Sequence, residues 1–166
     1  KNYSEVSRYW SPLPDGKPAT WLDEDALERF PALMKRSIGN YLQLGKAAIY
    51  LSGGLDSGSV SRFASEYANE HHHPSPHAFS LVFDDPEANE ERIQRGVAEG
   101  LGIPHTIVPI NLTTDPVQAF FDSLDLNGTW PQPLASTFRS VYLSLGKRVK
   151  AAGNEVVLTG DGGDEW

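Results

Sequence analysis

"YLSGGLDSGSV", residues 50–60, sets two adjacent glycines, an aspartate and three serines between an apolar run and a helix-forming segment. The apolar part, "AAIYL" (47–51), reads as a buried strand, and a helix is expected over about 57–70. Glycines at such a turn allow positive φ and a close approach of backbone to ligand. The start of the following helix offers unpaired N–H groups and a positive dipole end, which together favour an anion. Ser52, Ser57 and Ser59 add hydroxyl donors. The loop lacks the lysine of G-x-x-x-x-G-K-[ST] and the spacing of G-x-G-x-x-G. Asp56 is the informative residue, because a carboxylate beside phosphates is repelled unless a cation sits between them. It therefore suggests a bridging Mg²⁺. The residues of this loop alone also allow a plain strand-to-helix turn with Asp56 as a local cap.

Working outward, short apolar runs alternate with helical patterns. "HAFSLVF" (77–83) and "HTIVPI" (105–110) read as strands, with Pro109 arguing for the end of the latter. "EVVLT" (155–159) reads as the last strand. Helices are expected over 89–102, stopped by Gly102, near 114–124, and over about 136–152, stopped by Gly153 and Asn154. Before the first strand, "LDEDALERFPALMKRSIGNYL" has helical spacing. It puts Leu27, Phe30, Leu33, Met34, Ile38, Tyr41 and Leu42 on one side, Asp23 at the N-cap and Pro31 where it would bend or split the helix. Residues 1–21, with three prolines and no periodicity, read as a linker or arm, and residues 22–166 as one domain. Strands alternating with helices predict an α/β fold, a Rossmann-like parallel sheet covered by helices on both faces. In such sheets ligands bind beyond the carboxyl ends of the strands.

Composition narrows the classes of function. At 166 residues the chain can bury a core, and 39% hydrophobic with 22% charged residues suits a globular domain. A net charge of −8 argues against a general nucleic-acid surface. No apolar run is long enough to span a membrane. The absence of cysteine excludes disulfides, thiolate metal sites and a cysteine nucleophile within these residues, and a cytoplasmic setting is expected. The chain opens on Lys1 and has one methionine, Met34, so a piece of a longer protein is expected.

A second glycine turn ends the chain. "VVLTGDGGDEW" (156–166) repeats the order of apolar strand then glycine-rich loop, and crowds Asp161, Asp164 and Glu165 together. Carboxylates so close repel one another without a cation, and hard oxygen ligands suit Mg²⁺. A solvated acidic loop is the alternative for this stretch alone.

"SGGLDS" matches the S-G-G-x-D-S motif of the PP-loop ATP pyrophosphatases. "LSGGLDS" followed some hundred residues later by "LTGDGGDE" resembles the asparagine synthetase family, whose second motif is S-G-x-G-x-D-E. The likeness extends from "RYWSP" (8–12), through "FSLVF" and "RGVAEGLGIPH", to the end of the chain. This resemblance implies a PP-loop synthetase domain, incomplete at its C-terminal end, that uses ATP and Mg²⁺ to adenylate a carboxylate, release pyrophosphate and form an amide. It implies that Ser52, Gly53, Gly54 and Ser57 hold the phosphates that become pyrophosphate, and that Asp56 and Asp164 bind Mg²⁺. Leu51, Leu81, Thr159 and Gly160 would wall the adenine and ribose. Asp161, where many relatives have glutamate, and Glu165 would hold an outer-shell water or orient substrate.

The departures from the family matter as much. The glutamine-hydrolysing domain lies outside these residues. So does the helical portion in which relatives carry a lysine or similar group that stabilises the developing negative charge, a role not assigned to Lys46 or Lys147. Many relatives have an acidic "DEP" segment where this chain reads "DSLDLNGTWPQPLAS" (122–136). That difference admits carboxylates other than aspartate, as in the β-lactam and lasso-peptide ring-closing members. A small-molecule or peptide carboxylate is the expected partner, with no nucleic acid and no membrane. "HHHPSPH" (71–77) is expected to be a solvated helix end rather than a metal site, and Trp130 a loop aromatic covering the core.

Overall fold

The computed structural model describes residues 24–110, 116–128 and 139–162. Four strands form one parallel sheet in the order β3-β2-β1-β4, where β1 is Ala47–Tyr50, β2 His77–Phe83, β3 His105–Ile110 and β4 Val156–Leu158. The helices are α1 (Glu24–Leu42), α2 (Leu55–Glu70), α3 (Glu91–Leu101), α4 (Pro116–Gly128) and α5 (Arg139–Ala151). Element order and type match the alternation read from the sequence. The chain steps from β1 to β2 to β3 in one direction, then returns so that β4 lies on the other side of β1. That reversal is a topological switch point, where the connections leaving neighbouring strands diverge and open a crevice.

Both faces of the sheet are buried, as a parallel sheet requires. On one face Ile49 and Leu158 pack with Ile38 and Leu42 of α1 and with Phe63 and Ala64 of α2. Leu51 and Ala78 continue that face under Ala98 of α3. On the other face Ala48, Phe79 and Val108 pack beneath Leu145 and Val149 of α5. The period-two alternation of β1 thus feeds two cores from four residues. Gly102 (φ 63°) and Gly153 (φ 76°) end α3 and α5 in the left-handed conformation, as their positions predict.

Three expectations are corrected. The helix after the first glycine loop begins at Leu55, two residues early, so Asp56 lies in its first turn while Gly54 occupies the N-cap. Pro109 does not end β3, which continues to Ile110 with Val82 opposite the proline. β3 is an edge strand, where a missing N–H is tolerated. α1 runs unbroken across Pro31, and of its apolar residues Ile38 and Leu42 are buried, whereas Leu27, Leu33 and Tyr41 are exposed and Phe30, half-exposed, meets the Phe63 ring edge-on at 6.1 Å. The helix is held to α2 by apolar packing and by Lys35 Nζ, 3.2 Å from Glu66 and 2.6 Å from Glu70. Residues 1–23, including the linker and Asp23, lie outside the described residues.

Candidate functional site

Both glycine loops leave the sheet at the switch point. Leu51 N–H still donates to Phe79 O at 2.9 Å, and beyond it the chain leaves the ladder to enter the loop. Ser52 and Ser57 close that loop on itself. Ser57 Oγ accepts the Ser52 N–H at 3.1 Å and lies 2.8 Å from Ser52 Oγ, while Ser52 Oγ accepts the Gly54 N–H at 3.2 Å. Ser57 is buried, so its hydroxyl shapes the loop from within, a role beyond the direct donor that its position in the sequence suggests. Gly54 gives α2 no side-chain cap, so the cap residue offers the first-turn N–H groups no side-chain acceptor.

The loop after β4 meets this one backbone to backbone. A Cβ placed on Gly160 would stand 2.6 Å from Ser57 N and 3.1 Å from Asp56 C. Only glycine permits that approach, which explains the residue type in physical terms. A cavity of about 520 Å³ lies over the junction, within the usual size of small-molecule sites. Leu51, Ser52, Gly54, Asp56, Ser57, Leu81, Thr159, Gly160 and Asp161 all line it. Gly53 does not, and its N–H donates to Glu90 Oε2 at 2.8 Å. Asp164 and Glu165 lie outside the described residues, as does Trp130.

The cavity extends past the loops along the α5 face of the sheet. Tyr50, Phe79, Phe83, Tyr142 and Leu145 supply an apolar wall there, with the Tyr50 and Tyr142 rings stacked at 6.2 Å. Burial raises the Tyr50 phenol above its ordinary pKa, and the neighbouring Tyr142 adds to this. Of these residues, Phe79 and Phe83 were legible from Leu81, since alternate residues of a strand share a face. Tyr142 and Leu145 belong to a helix nearly a hundred residues from β1, and no local pattern marks them.

Support for the site crosses the sheet. Ser80 Oγ donates to Leu51 O at 2.7 Å, and His105 Nε2 lies 2.8 Å from Ser80 Oγ. With the serine proton committed to the carbonyl, the histidine is the donor, so its Nε2 carries hydrogen. Burial lowers the His105 pKa, and Arg95 lowers it further. Gln94, also buried, donates from Nε2 to Leu81 O at 3.2 Å. Together these contacts hold the backbone carbonyls of Leu51 and Leu81, two residues that line the cavity.

Oxygen donors suited to a hard cation are present, since Asp56 and Asp161 line one cavity from the two loops. Among the described residues no group of three acidic, histidine or cysteine side chains is positioned to hold a metal. The histidine run is no exception. His71 lies on the Tyr67 ring at 4.0 Å, and its Nδ1 is 3.0 Å from Tyr67 O. Lys46 and Lys147 are exposed and neither lines the cavity.

Comparison with known proteins agrees with this arrangement. The profile of the family described as asparagine synthase matches residues 33–166, and the chain belongs to that family. It is 32% identical over 128 residues to the amidase chyE of Penicillium rubens, across 71% of this chain and 18% of that one. Among solved structures it is similar to an NH3-dependent NAD synthetase from Campylobacter jejuni in complex with the nitrate ion, with TM-score 0.52 and 16% identity. That match covers 78% of this chain and 54% of the synthetase. An NMN synthetase from Francisella tularensis gives TM-score 0.48 at 20% identity, over 76% of this chain and 52% of that one. The chain therefore spans about half the length of these solved structures and less than a fifth of the fungal protein.

Proposed function

We propose that the protein carrying this chain is an ATP-dependent amide-forming ligase that activates a carboxylate as its acyl-adenylate. The observation that carries the reading is the apposition of the two glycine loops, Gly160 against Ser57 N, over one cavity with a carboxylate from each loop. Membership of the asparagine synthase family supports it.

In this reading the substrate carboxylate attacks the α-phosphorus of ATP, the bond to the β-phosphate breaks, and pyrophosphate leaves. Ammonia or an amine then attacks the acyl carbon and AMP departs. The loop Ser52–Ser57 and the first-turn N–H groups of α2 bind the β and γ phosphates and disperse the charge of the leaving group. Leu51, Leu81, Thr159 and Gly160 enclose adenine and ribose. Asp56 and Asp164 would hold Mg²⁺, and Asp161 and Glu165 would hold a water near it or orient the substrate. The ion supplies charge neutralisation at the phosphates. Residues 22–166 form the nucleotide-binding part of the synthetase domain, reached through the arm 1–21. The group that stabilises charge on the acyl carbon lies outside the chain, and a glutaminase domain in the same protein is one source of ammonia. The setting is cytoplasmic, without nucleic acid or membrane partners. Among the described residues no helix is long and apolar enough to cross a membrane.

The apolar wall of Tyr50, Phe79, Tyr142 and Leu145, with the departure from the acidic "DEP" segment, favours a carboxylate other than free aspartate as a second reading. A lactam- or macrolactam-forming synthetase of the same family answers to that description.

The test supplies the intact protein with ATP, Mg²⁺, candidate carboxylates and ammonia, and identifies the nucleotide product. AMP with pyrophosphate is expected, and ADP with phosphate refutes the mechanism. Asp56→Ala should lower pyrophosphate release by about a hundredfold or more, the scale of losing one preorganised charge-stabilising group. Nucleotide binding without turnover for any substrate would instead mark a regulatory module.

A further inference from the structure

Glu90, at the entry to α3, reaches back across 37 residues to the first glycine loop, where its Oε2 accepts the Gly53 N–H at 2.8 Å. The contact is close. A Cβ on Gly53 would stand 2.8 Å from Glu90 Cδ and 2.9 Å from both its Cβ and its Oε1. The Glu90 side chain makes no cap on its own helix, and Asn89 Oδ1 takes the Glu91 N–H at 2.9 Å instead. Glu90 lines the same cavity as Asp56 and Ser57. A carboxylate thus holds one N–H donor of a loop whose geometry suits an anion. That donor cannot serve a second anion at the same time, and two anions placed together repel.

We propose that Glu90 is a tethered internal anion that occupies the Gly53 end of the cradle and is displaced when a polyphosphate takes its place. The inference rests on the reading of this loop as a phosphate cradle. A ligand tethered in the same chain competes at high effective concentration, so it weakens every phosphate group that needs the Gly53 donor. It thereby sets the affinity for the phosphate end of the nucleotide, and it refills the cradle as pyrophosphate leaves.

The experiment is calorimetric titration of inorganic pyrophosphate, with and without Mg²⁺, into the intact wild-type protein, Glu90→Gln and Glu90→Ala. Glu90→Gln keeps an oxygen acceptor and removes the charge. Both variants should bind pyrophosphate about tenfold more tightly than wild type, the low end for releasing a hydrogen bond to a charged group. The gain should be larger without Mg²⁺, which otherwise offsets the repulsion. Melting temperatures report whether each variant is folded. Unchanged or weaker affinity in folded variants, while the wild type binds, overturns the role of Glu90 alone. If neither wild type nor variants bind pyrophosphate, the cradle reading falls and this inference falls with it.

Discussion

Gly160→Ala adds one methyl group at the contact that joins the two loops. The new carbon would stand 2.6 Å from Ser57 N, about 0.8 Å short of the 3.4 Å at which ordinary contact begins. Asp56 C and Cβ, each at 3.1 Å, close the other side. Two of these three atoms are backbone in the first turn of α2, and the third is fixed to it, so no rotamer change relieves the clash. The loops must separate by most of an ångström, against packing that includes Leu158 and Phe63 just below. Overpacking of this kind costs about 1–3 kcal/mol. For a chain of this size that is a fall in melting temperature of roughly 2–12 °C. The same displacement moves Asp56 relative to Asp161. A misplacement near 1 Å in a reacting site lowers turnover on the order of a hundredfold. Differential scanning fluorimetry and a coupled pyrophosphate assay on Gly160→Ala measure the two effects separately. A variant that melts within about 1 °C of wild type and releases pyrophosphate at the wild-type rate refutes the argument. It would show that the two loops do not need this apposition.

Two further outcomes follow from the same contacts. Ser57→Ala removes the buried acceptor of the Ser52 N–H and should destabilise the fold by about 1–2 kcal/mol, read as a lower urea midpoint. It should also weaken pyrophosphate binding, because the loop loses its internal tie. His105 and His77 both have folded-state pKa values below the ordinary 6.5, chiefly through burial, with Arg95 adding for His105 and Lys46 for His77. The unfolded chain therefore takes up protons first. Stability is full above about pH 6.5 and is lost as pH falls from there through the folded-state values. Melting temperatures between about pH 7.5 and pH 5 should decline, and His105→Gln, which keeps a donor toward Ser80, should flatten the decline. An unchanged slope in that variant assigns the acid sensitivity elsewhere.

Local chemistry made much of the fold legible. "AAIYL" is too short and too apolar to be other than a buried strand beside glycines. Gly102 and Gly153 stop their helices because only glycine adopts their φ cheaply. The misreadings have the same local origin. Pro109 disfavours a strand wherever its neighbours are unknown, and only its place on an edge makes it harmless. Leu27 and Leu33 share the periodicity of Ile38 and Leu42, but periodicity marks a face without saying whether anything covers it.

The residues of the two glycine loops, and the carboxylates they carry, were determined by the sequence alone, because turn geometry and charge are properties of a few adjacent residues. Whether the loops meet was not so determined. That depended on β4 pairing beside β1, on the opposite side from β2, which brings Gly160 onto Ser57 N. The same tertiary packing delivered Glu90 to Gly53, His105 to Ser80, and Tyr142 over Tyr50. Each of these pairs spans 25 to 92 residues. Contacts of that range are set by sheet order and helix placement, which no short stretch of chain encodes.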